Sequence, residues 1–422
     1  MINRAIATLC RQEGGRILAS LIRHFGDFDI AEEALQDAFE QALGHWPAAG
    51  VPDNPAGWLF RVARNRGLDQ LRKRAPLHHD AALIEQIQAP SRDDDDTAEF
   101  GSDDDRLRLI FTCCHPALAP SAQIALTLRT VCQLQTAEIA RAFVEPEATT
   151  AQKLVRAKRK ISQARIPYAI PVREEWPERV AAVLAVVYLL FNEGYAATTH
   201  HGLLRLDLTA EAIRLGREMI RLLPDQAETT GLLALMLFHH SRRATRVDVE
   251  GVLVPLELQD RGAWDRDEIR DATALLDSAL LKRQPGPYQI QAAIAALHAN
   301  APTAADTDWI QIVALYGALL RHQPTAVVEL NAAAALAMAT SPEQGLAWMD
   351  RIAASGRLPE YHLLPAARAD LLRRMARYDE AGVAYRMALA LATNPAETAY
   401  LQRRLAQVEA ASAGGSINPS RP

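Results

Sequence analysis

The sequence predicts an all-α fold. Alanine, leucine, arginine and glutamate dominate, and apolar residues recur at three- and four-residue spacing along most of the chain. No convincing run of alternating β-branched residues occurs, and the best strand candidates, around Val247 to Leu258, are short. The breaks between helical stretches are clusters of proline, glycine or like charge. A length of 422 residues with 49% hydrophobic and 23% charged residues describes an ordinary globular chain. It suits about two to three domains and excludes a disordered chain, a collagen-like fibre and a disulfide miniprotein. The longest apolar run, Val180 to Phe191, falls short of the ~18 residues of a membrane span and is followed by Asn192 and Glu193. The N-terminal stretch lacks the apolar core of a signal peptide. A cytoplasmic protein without a membrane partner is expected.

In chain order, Gly26 to Trp46 forms an amphipathic helix with an acidic face of Glu32, Glu33, Asp37 and Glu40. A loop follows at Pro47 to Pro55, with three prolines and a glycine. The next helix, Asn54 to Arg74, interleaves Trp58 and Phe60 with Arg61, Arg64, Asn65, Arg66, Arg72, Lys73 and Arg74. Such a mixture suits unstacked bases and a phosphate track. Trp58 and Val62 are also expected to be partly core. Residues 76–105 read as an acidic linker with ten acids and one arginine. From Leu107 to Arg165 the balance reverses, with nine basic residues against three acidic ones. The overall charge of -5 hides this contrast, and local charge governs contact with DNA. Ile166 to Pro177, with its prolines, marks the next boundary, and Ala413 to Pro422 reads as a frayed tail.

The strongest functional signal lies at Thr136 to Ile161. Thr136 is expected to cap a short helix in which Ile139 and Phe143 face inward and Ala140 permits a close crossing. A turn containing Pro146 leads to a second helix from about Thr149, with Leu154 and Ile161 buried. This is a helix-turn-helix pattern. Thr149, Thr150, Gln152, Lys153 and Arg156 stand where side chains reach base edges, and Lys158, Arg159 and Lys160 suit phosphates. Cys10, Cys113, Cys114 and Cys132 show no paired metal-ligand spacing and read as buried thiols, so no metal is expected.

The order of these motifs resembles the extracytoplasmic-function (group IV) sigma factors of bacterial RNA polymerase, which carry regions 2 and 4 only. The resemblance rests on AEEALQDAF, NPAGWL, VARN with LDQLRKR, and AEIARAF with TTAQKLVRAKRKI, between about Arg11 and Arg165. The later strings YLLFNEGY, QDRGAWDR, RQPGPYQIQAAIAALHA, TDWIQIVALY and YHLLPAARADLLRR resemble the subgroup with a long tetratricopeptide-like extension. The resemblance implies region 2 over 1–75, the linker over 76–105, region 4 over 106–166, a helical extension over 167–412 and a disordered tail over 413–422. It implies that Glu33, Leu35, Gln36, Asp37 and Phe39 dock on the clamp helices of the largest polymerase subunit. It assigns Asn54, Trp58, Arg61, Arg64, Asn65, Arg72 and Lys73 to the −10 element. It assigns Thr149, Thr150, Gln152, Lys153, Arg156, Lys158, Arg159 and Lys160 to the −35 element. Core RNA polymerase, including its flap, and promoter DNA are the implied partners, with the acidic linker running towards the RNA exit channel. Two features depart from the family. Val144 and Glu145 stand where a glycine and an apolar residue are usual, so Glu145 is expected to sit awkwardly in a small core. Gln133-Leu134-Gln135 replaces a glycine-containing loop.

In the extension, Glu211 to Pro224, Glu343 to Ile352 and Ala367 to Pro395 share a register. Ala369, Ala381 and Ala388, with Tyr378, Tyr385 and Pro395, fit a tetratricopeptide unit; Ala212, Met219, Pro224, Ala234, Ala333 and Gly345 take equivalent places. A stacked solenoid is expected, with room for a protein or ligand partner. Asn192, Glu193, Tyr195 and Thr198 to His201 form a polar cluster that reads as structural or interdomain, with a metal or acid/base site as the lesser alternative. No nucleophile signature or phosphate loop occurs, so no catalytic residue, no enzyme activity and no cofactor are expected. The functional expectation is a sigma factor whose fused extension regulates it. The alternative is a stand-alone helix-turn-helix regulator with a protein-interaction domain.

Overall fold

The computed structural model of the chain describes residues 2–74, 102–143, 145–195 and 206–415. The chain divides into two compact units, Met1–Leu189 and Leu190–Pro422. Regular structure among the described residues is helical, as expected, and the one β feature is an isolated antiparallel bridge between Val247 and Leu253. No helix among them is long and apolar enough to cross a membrane.

In the first unit, α1 (Ile2–Phe25) buries Ile17, Leu18, Leu21 and Ile22. Gly26, at φ +69°, reverses the chain, and Asp27 caps α2 (Phe28–Ala49) by accepting from the backbone N–H of Asp29 and Ile30. Ile30, Ala34, Ala38, Ala42 and Trp46 form the buried stripe of α2. The helix runs through Pro47 and ends only at Gly50, whose N–H reaches Trp46 O, so the expected loop shortens to Gly50–Asn54. Proline is costly in a helix interior but tolerable near its end, where the fully buried Trp46 anchors the last turns. Asn54 Oδ1 accepts from Gly57 N–H at 2.9 Å and starts α3 (Pro55–Arg74). Gly67 lets α3 meet the Phe25 ring, since a Cβ there would stand 2.3 Å from Cζ.

The acidic linker lies outside the described residues except for its last four. Ser102 caps α4 (Asp103–Cys113), so Asp103 to Asp105 form a helical first turn. Asp105 is fully buried. Its carboxylate accepts from Ser20 Oγ at 3.1 Å and Arg108 Nη1 at 2.7 Å, with Arg23 Nε at 3.4 Å. Tyr168 closes the arrangement by donating to Ala19 O at 2.8 Å and to Asp105 O at 3.3 Å. Burial, then the Asp105 charge, pushes the Tyr168 phenol above its usual range. Then come α5 (Pro120–Thr130), α6 (Thr136–Phe143), α7 (Glu147–Gln163) and α8 (Trp176–Tyr195). The α8 residue Arg179 donates to Phe111 O. Cys113 and Cys114 are packing residues, hydrogen-bonded to the hydroxyls of Thr130 and Thr127. Burial pushes both thiols up, Cys114 to about 12.

The second unit is a chain of helix pairs: α9 (Leu206–Leu222), α10 (Ala227–His240), α11 (Arg266–Leu281), α12 (Pro287–Asn300), α13 (Trp309–His322), α14 (Ala326–Ala339), α15 (Pro342–Ala354), α16 (Leu363–Arg374), α17 (Tyr378–Leu391) and α18 (Pro395–Gly415). From α9 to α18 each helix packs on its neighbours in sequence, and α10 also packs on α12. Ala212, Met219, Ala234, Ala333, Ala369, Ala381 and Ala388 are fully buried at the crossings. At Gly345 a Cβ would lie 2.4 Å from Ala337 Cβ and 2.7 Å from Ala333 O, so α15 can approach α14 only through a glycine. The expected tail is partly helical, because α18 carries Ala413 to Gly415; the rest lies outside the described residues.

A strap between α10 and α11 crosses this unit. Its Leu253 N–H donates to Ala396 O, Glu257 pairs with Arg374 at 2.6 Å, and Asp248 and Glu250 pair with Arg403 at 3.2 and 3.0 Å. The QDRGAWDR string closes the strap: Trp264 is buried with Nε1 on Thr245 Oγ1, and Asp265 caps α11 through Glu268 N–H.

Replacing Asp105 with alanine is expected to destabilise the first unit by about 3 kcal/mol, because the buried partners lose their anion. Asp105→Asn keeps an acceptor for Ser20 and loses less. Urea unfolding followed by circular dichroism measures both, and an unchanged midpoint for Asp105→Ala would contradict the role. Gly345→Val is expected to lose about 1–3 kcal/mol by overpacking. Calorimetry would read this as a lower melting temperature for the second unit alone.

Candidate nucleic-acid interface

The interface is built from α6 and α7. The cap of α6 lies one residue earlier than expected: Gln135 N–H donates to the Glu138 carboxylate at 2.7 Å, and Gln135 O accepts from Glu138 and Ile139 N–H. Thr136 is therefore the first helical residue. Ile139 and Ala140 are buried and Phe143 is half-buried, as the pattern required. Pro146 precedes α7, which begins at Glu147 and buries Leu154, Ala157 and Ile161 against α5 and α6.

Glu145 occupies the turn differently from expectation. Its carboxylate accepts from Thr150 Oγ1 at 2.5 Å and from Lys153 Nζ at 2.8 and 2.9 Å. Burial works to raise its pKa, but the donated bonds from Lys153 and Thr150 outweigh it and hold the carboxyl below its usual range. Glu145 thus staples the turn to α7, and Lys153 Nζ also sits 5.1 Å from the Phe143 ring centroid. Val144 lies outside the described residues.

This staple narrows the surface expected to contact DNA. Thr150 is fully buried beneath Glu145 and is not available to a base edge. Lys153 is half-buried and ion-paired with Glu145. Lys158 points to α2, with Nζ 2.9 Å from Asp29 Oδ1 and 2.8 Å from Glu32 Oε2. Burial opposes its charge, and the two carboxylates more than compensate, raising its pKa. Thr149, Gln152, Arg156, Arg159 and Lys160 are exposed on α7.

The second basic surface lies on α3. Asn54, Arg61, Asn65, Arg72 and Lys73 are exposed, and Arg64 is half-buried. Arg72 pairs with Asp69 at 3.1 Å. Trp58 is half-buried, stacked on His45 at 6.2 Å and edge-on to Trp46 at 5.4 Å, so it anchors α3 on α2. Phe60 is core.

On α2, Glu33 and Gln36 are exposed and Asp37 and Phe39 are half-buried, but Leu35 is only 3% exposed. Leu35, Gln36 and Phe39 line a groove of about 390 Å³ together with Leu18, Arg129 and Gln133. The loop before α6 therefore reaches the expected docking face. Gly14 and Gly15 permit this approach: Cβ atoms there would stand 2.9 Å from Gln133 Cγ and 2.4 Å from Val131 O. Sequence reasoning passed over this glycine pair inside a helical pattern, which is itself the signal of a close backbone approach. Asn192 and Glu193 are half-buried and Tyr195 is buried against Phe191 and Arg246. Thr198 to His201 lie outside the described residues. Among the described residues no group of three metal-binding side chains occurs.

Comparison with known proteins bears on α1 to α3 and on the start of the extension. Residues 9–76 match sigma-70 region 2, and residues 179–280 match a family of unknown function, DUF6596. An uncharacterized protein of Rhizobium meliloti (strain 1021), R00370, is 43% identical over 393 residues, covering 92% of each chain. The probable ECF RNA polymerase sigma factor SigI of Mycobacterium tuberculosis is 28% identical over 158 residues, which are 35% of this chain and 51% of that protein. No solved structure matches. The region 2 match and the likeness to SigI support an ECF sigma factor with a long C-terminal extension, part of which matches the DUF6596 family.

Proposed function

We propose that this sigma factor docks on core RNA polymerase through α2 and directs initiation at its own class of promoters, in the cytoplasm. The observation that carries the reading is the exposed row Thr149, Gln152, Arg156, Arg159 and Lys160 on α7, in a chain that also contains region 2. Thr149, Gln152 and Arg156 would read the −35 element, with Arg159 and Lys160 on flanking phosphates. Asn54, Trp58, Arg61, Arg64, Asn65, Arg72 and Lys73 would serve the −10 element. Glu33, Gln36, Asp37 and Phe39 would meet the clamp helices, with the Leu35 groove beneath them. The stand-alone regulator is the weaker reading, because it leaves region 2 without a task. The extension, with its tetratricopeptide-like units, would regulate the factor.

The recognition helix meets α2, the expected docking helix, through Lys158 on Asp29 and Glu32, and Gln133 of the loop before α6 lines the groove with Leu35. Binding to polymerase and promoter together would require these contacts to part. The first unit also extends past Arg165, because Tyr168 and Arg179 hold Ala19 and Phe111. A shortened form must keep these residues if it is to report on the extension alone.

Run-off transcription with core polymerase and the factor's own upstream region tests the assignment. The full chain is expected to give discrete transcripts. Arg156→Ala is expected to reduce them by about tenfold or more while leaving core binding intact, at about 1–3 kcal/mol for a base contact. Absence of both transcripts and core binding would sink the reading. Asp29→Asn combined with Glu32→Gln releases Lys158 without altering the DNA-facing row. It is expected to raise core affinity about five- to thirtyfold, given about 0.5–1 kcal/mol for each of the two ion pairs. Equal affinity in a titration would remove the shared contact from the mechanism.

A further inference from the structure

Beside the strap, the second unit forms a solvent-open cavity of about 500 Å³. That is the size of a small-molecule site. Its walls are apolar, formed by Trp309 and Ile312 on α13, Ala334 and Met338 on α14, and Leu371 on α16. Alanines at 334, 335 and 367 leave the space that larger side chains would fill.

The charged groups in the wall are not equivalent. Arg374 lies between two carboxylates, Glu257 at 2.6 Å and Asp370 at 2.7 Å. Arg261 is 6% exposed and makes no ion pair within 4 Å among the described residues; the Asp306 charge acts on it only from further away. It donates to His298 O, Ala301 O and Thr307 Oγ1, and its Nε has no hydrogen-bond partner. Beside it, His298 Nδ1 is also buried without a partner. Burial, with the nearby Arg242 and Arg261 charges, pushes His298 down to about 4, so the ring is neutral and cannot supply a counter-charge. A buried guanidinium normally has an anion beside it, and an unpartnered buried donor carries a desolvation penalty that an acceptor would relieve.

We infer that this cavity binds a small organic acid, with its carboxylate towards Arg261 and His298 and its apolar or aromatic body along Trp309, Ile312 and Met338. The acid supplies an anion in direct contact with Arg261, since the wall's own carboxylates, Glu257 and Asp370, pair with Arg374. The apolar walls contribute affinity through burial of the ligand body. Glu257 and Asp370, both committed to Arg374, disfavour a cationic ligand. The strap sets one side of the cavity, so occupancy bears directly on the segment that ties α10 to α16 and α18. Binding is a property of the free chain and does not depend on the promoter assignment.

The test uses the full chain and the fluorescent anion 8-anilino-1-naphthalenesulfonate. Saturable binding at one site per chain is expected. 2-Naphthoate is expected to displace it at least tenfold more effectively than the uncharged 2-naphthalenemethanol. Arg261→Met should abolish that preference. Because Arg261 also braces the strap, Ala334→Trp provides the second variant: it fills the cavity, leaves the strap contacts in place, and should abolish saturable binding while circular dichroism stays unchanged. Equal displacement by the acid and the alcohol would overturn the inference. So would parental binding by Ala334→Trp, or no saturable binding at all. Transcription by the same preparation reports separately on the sigma-factor reading.

Discussion

The first unit depends on a buried carboxylate. Asp105 has left water entirely, and an ionised carboxylate in an apolar interior is tolerated only when its oxygens are paired. Ser20 and Arg23 come from α1, and Arg108 from one turn further along α4. Tyr168, arriving after α7, bonds the backbone of both elements. Three distant stretches of sequence are thereby held at one point. The α6–α7 pair inherits its position from that point, because α4 leads into α5 and α5 supports α7.

That position decides what the basic residues of α7 can do. A helix of this composition exposes many cations in isolation. In the folded unit the short-range staple takes Thr150 and Lys153, and the long-range contact to α2 takes Lys158. The remaining exposed row is narrower and more directional than the sequence pattern. Glu145, an apparent misfit in an apolar turn, is satisfied because the same helix supplies two donors to it.

The second unit follows a different logic. Its helices pack in sequence order through alanine and glycine crossings, so most of its stability is local. The strap is the exception. It returns across the helices and brings Arg261, Glu257 and Leu253 to partners far along the chain. A largely apolar cavity with a buried arginine in its wall is the result.

Helix identity, helix order and the inward residues of the helix-turn-helix were legible in the sequence, because 3.6-residue periodicity and small-residue crossings are local properties. Ile139, Ala140, Leu154 and Ile161 were read from spacing alone, as were Ala369, Ala381 and Ala388. The end of α2 was misjudged at Pro47, since burial of Trp46 overrides a local breaker. The cap of α6 was misjudged by one residue, since a reciprocal bond to Glu138 outranks the preference for threonine. Only the tertiary structure decided which charges remain available. Lys158 meets Glu32 across 126 residues, and Arg261 meets Ala301 across 40. Such pairings depend on how whole helices dock, and no local pattern encodes that.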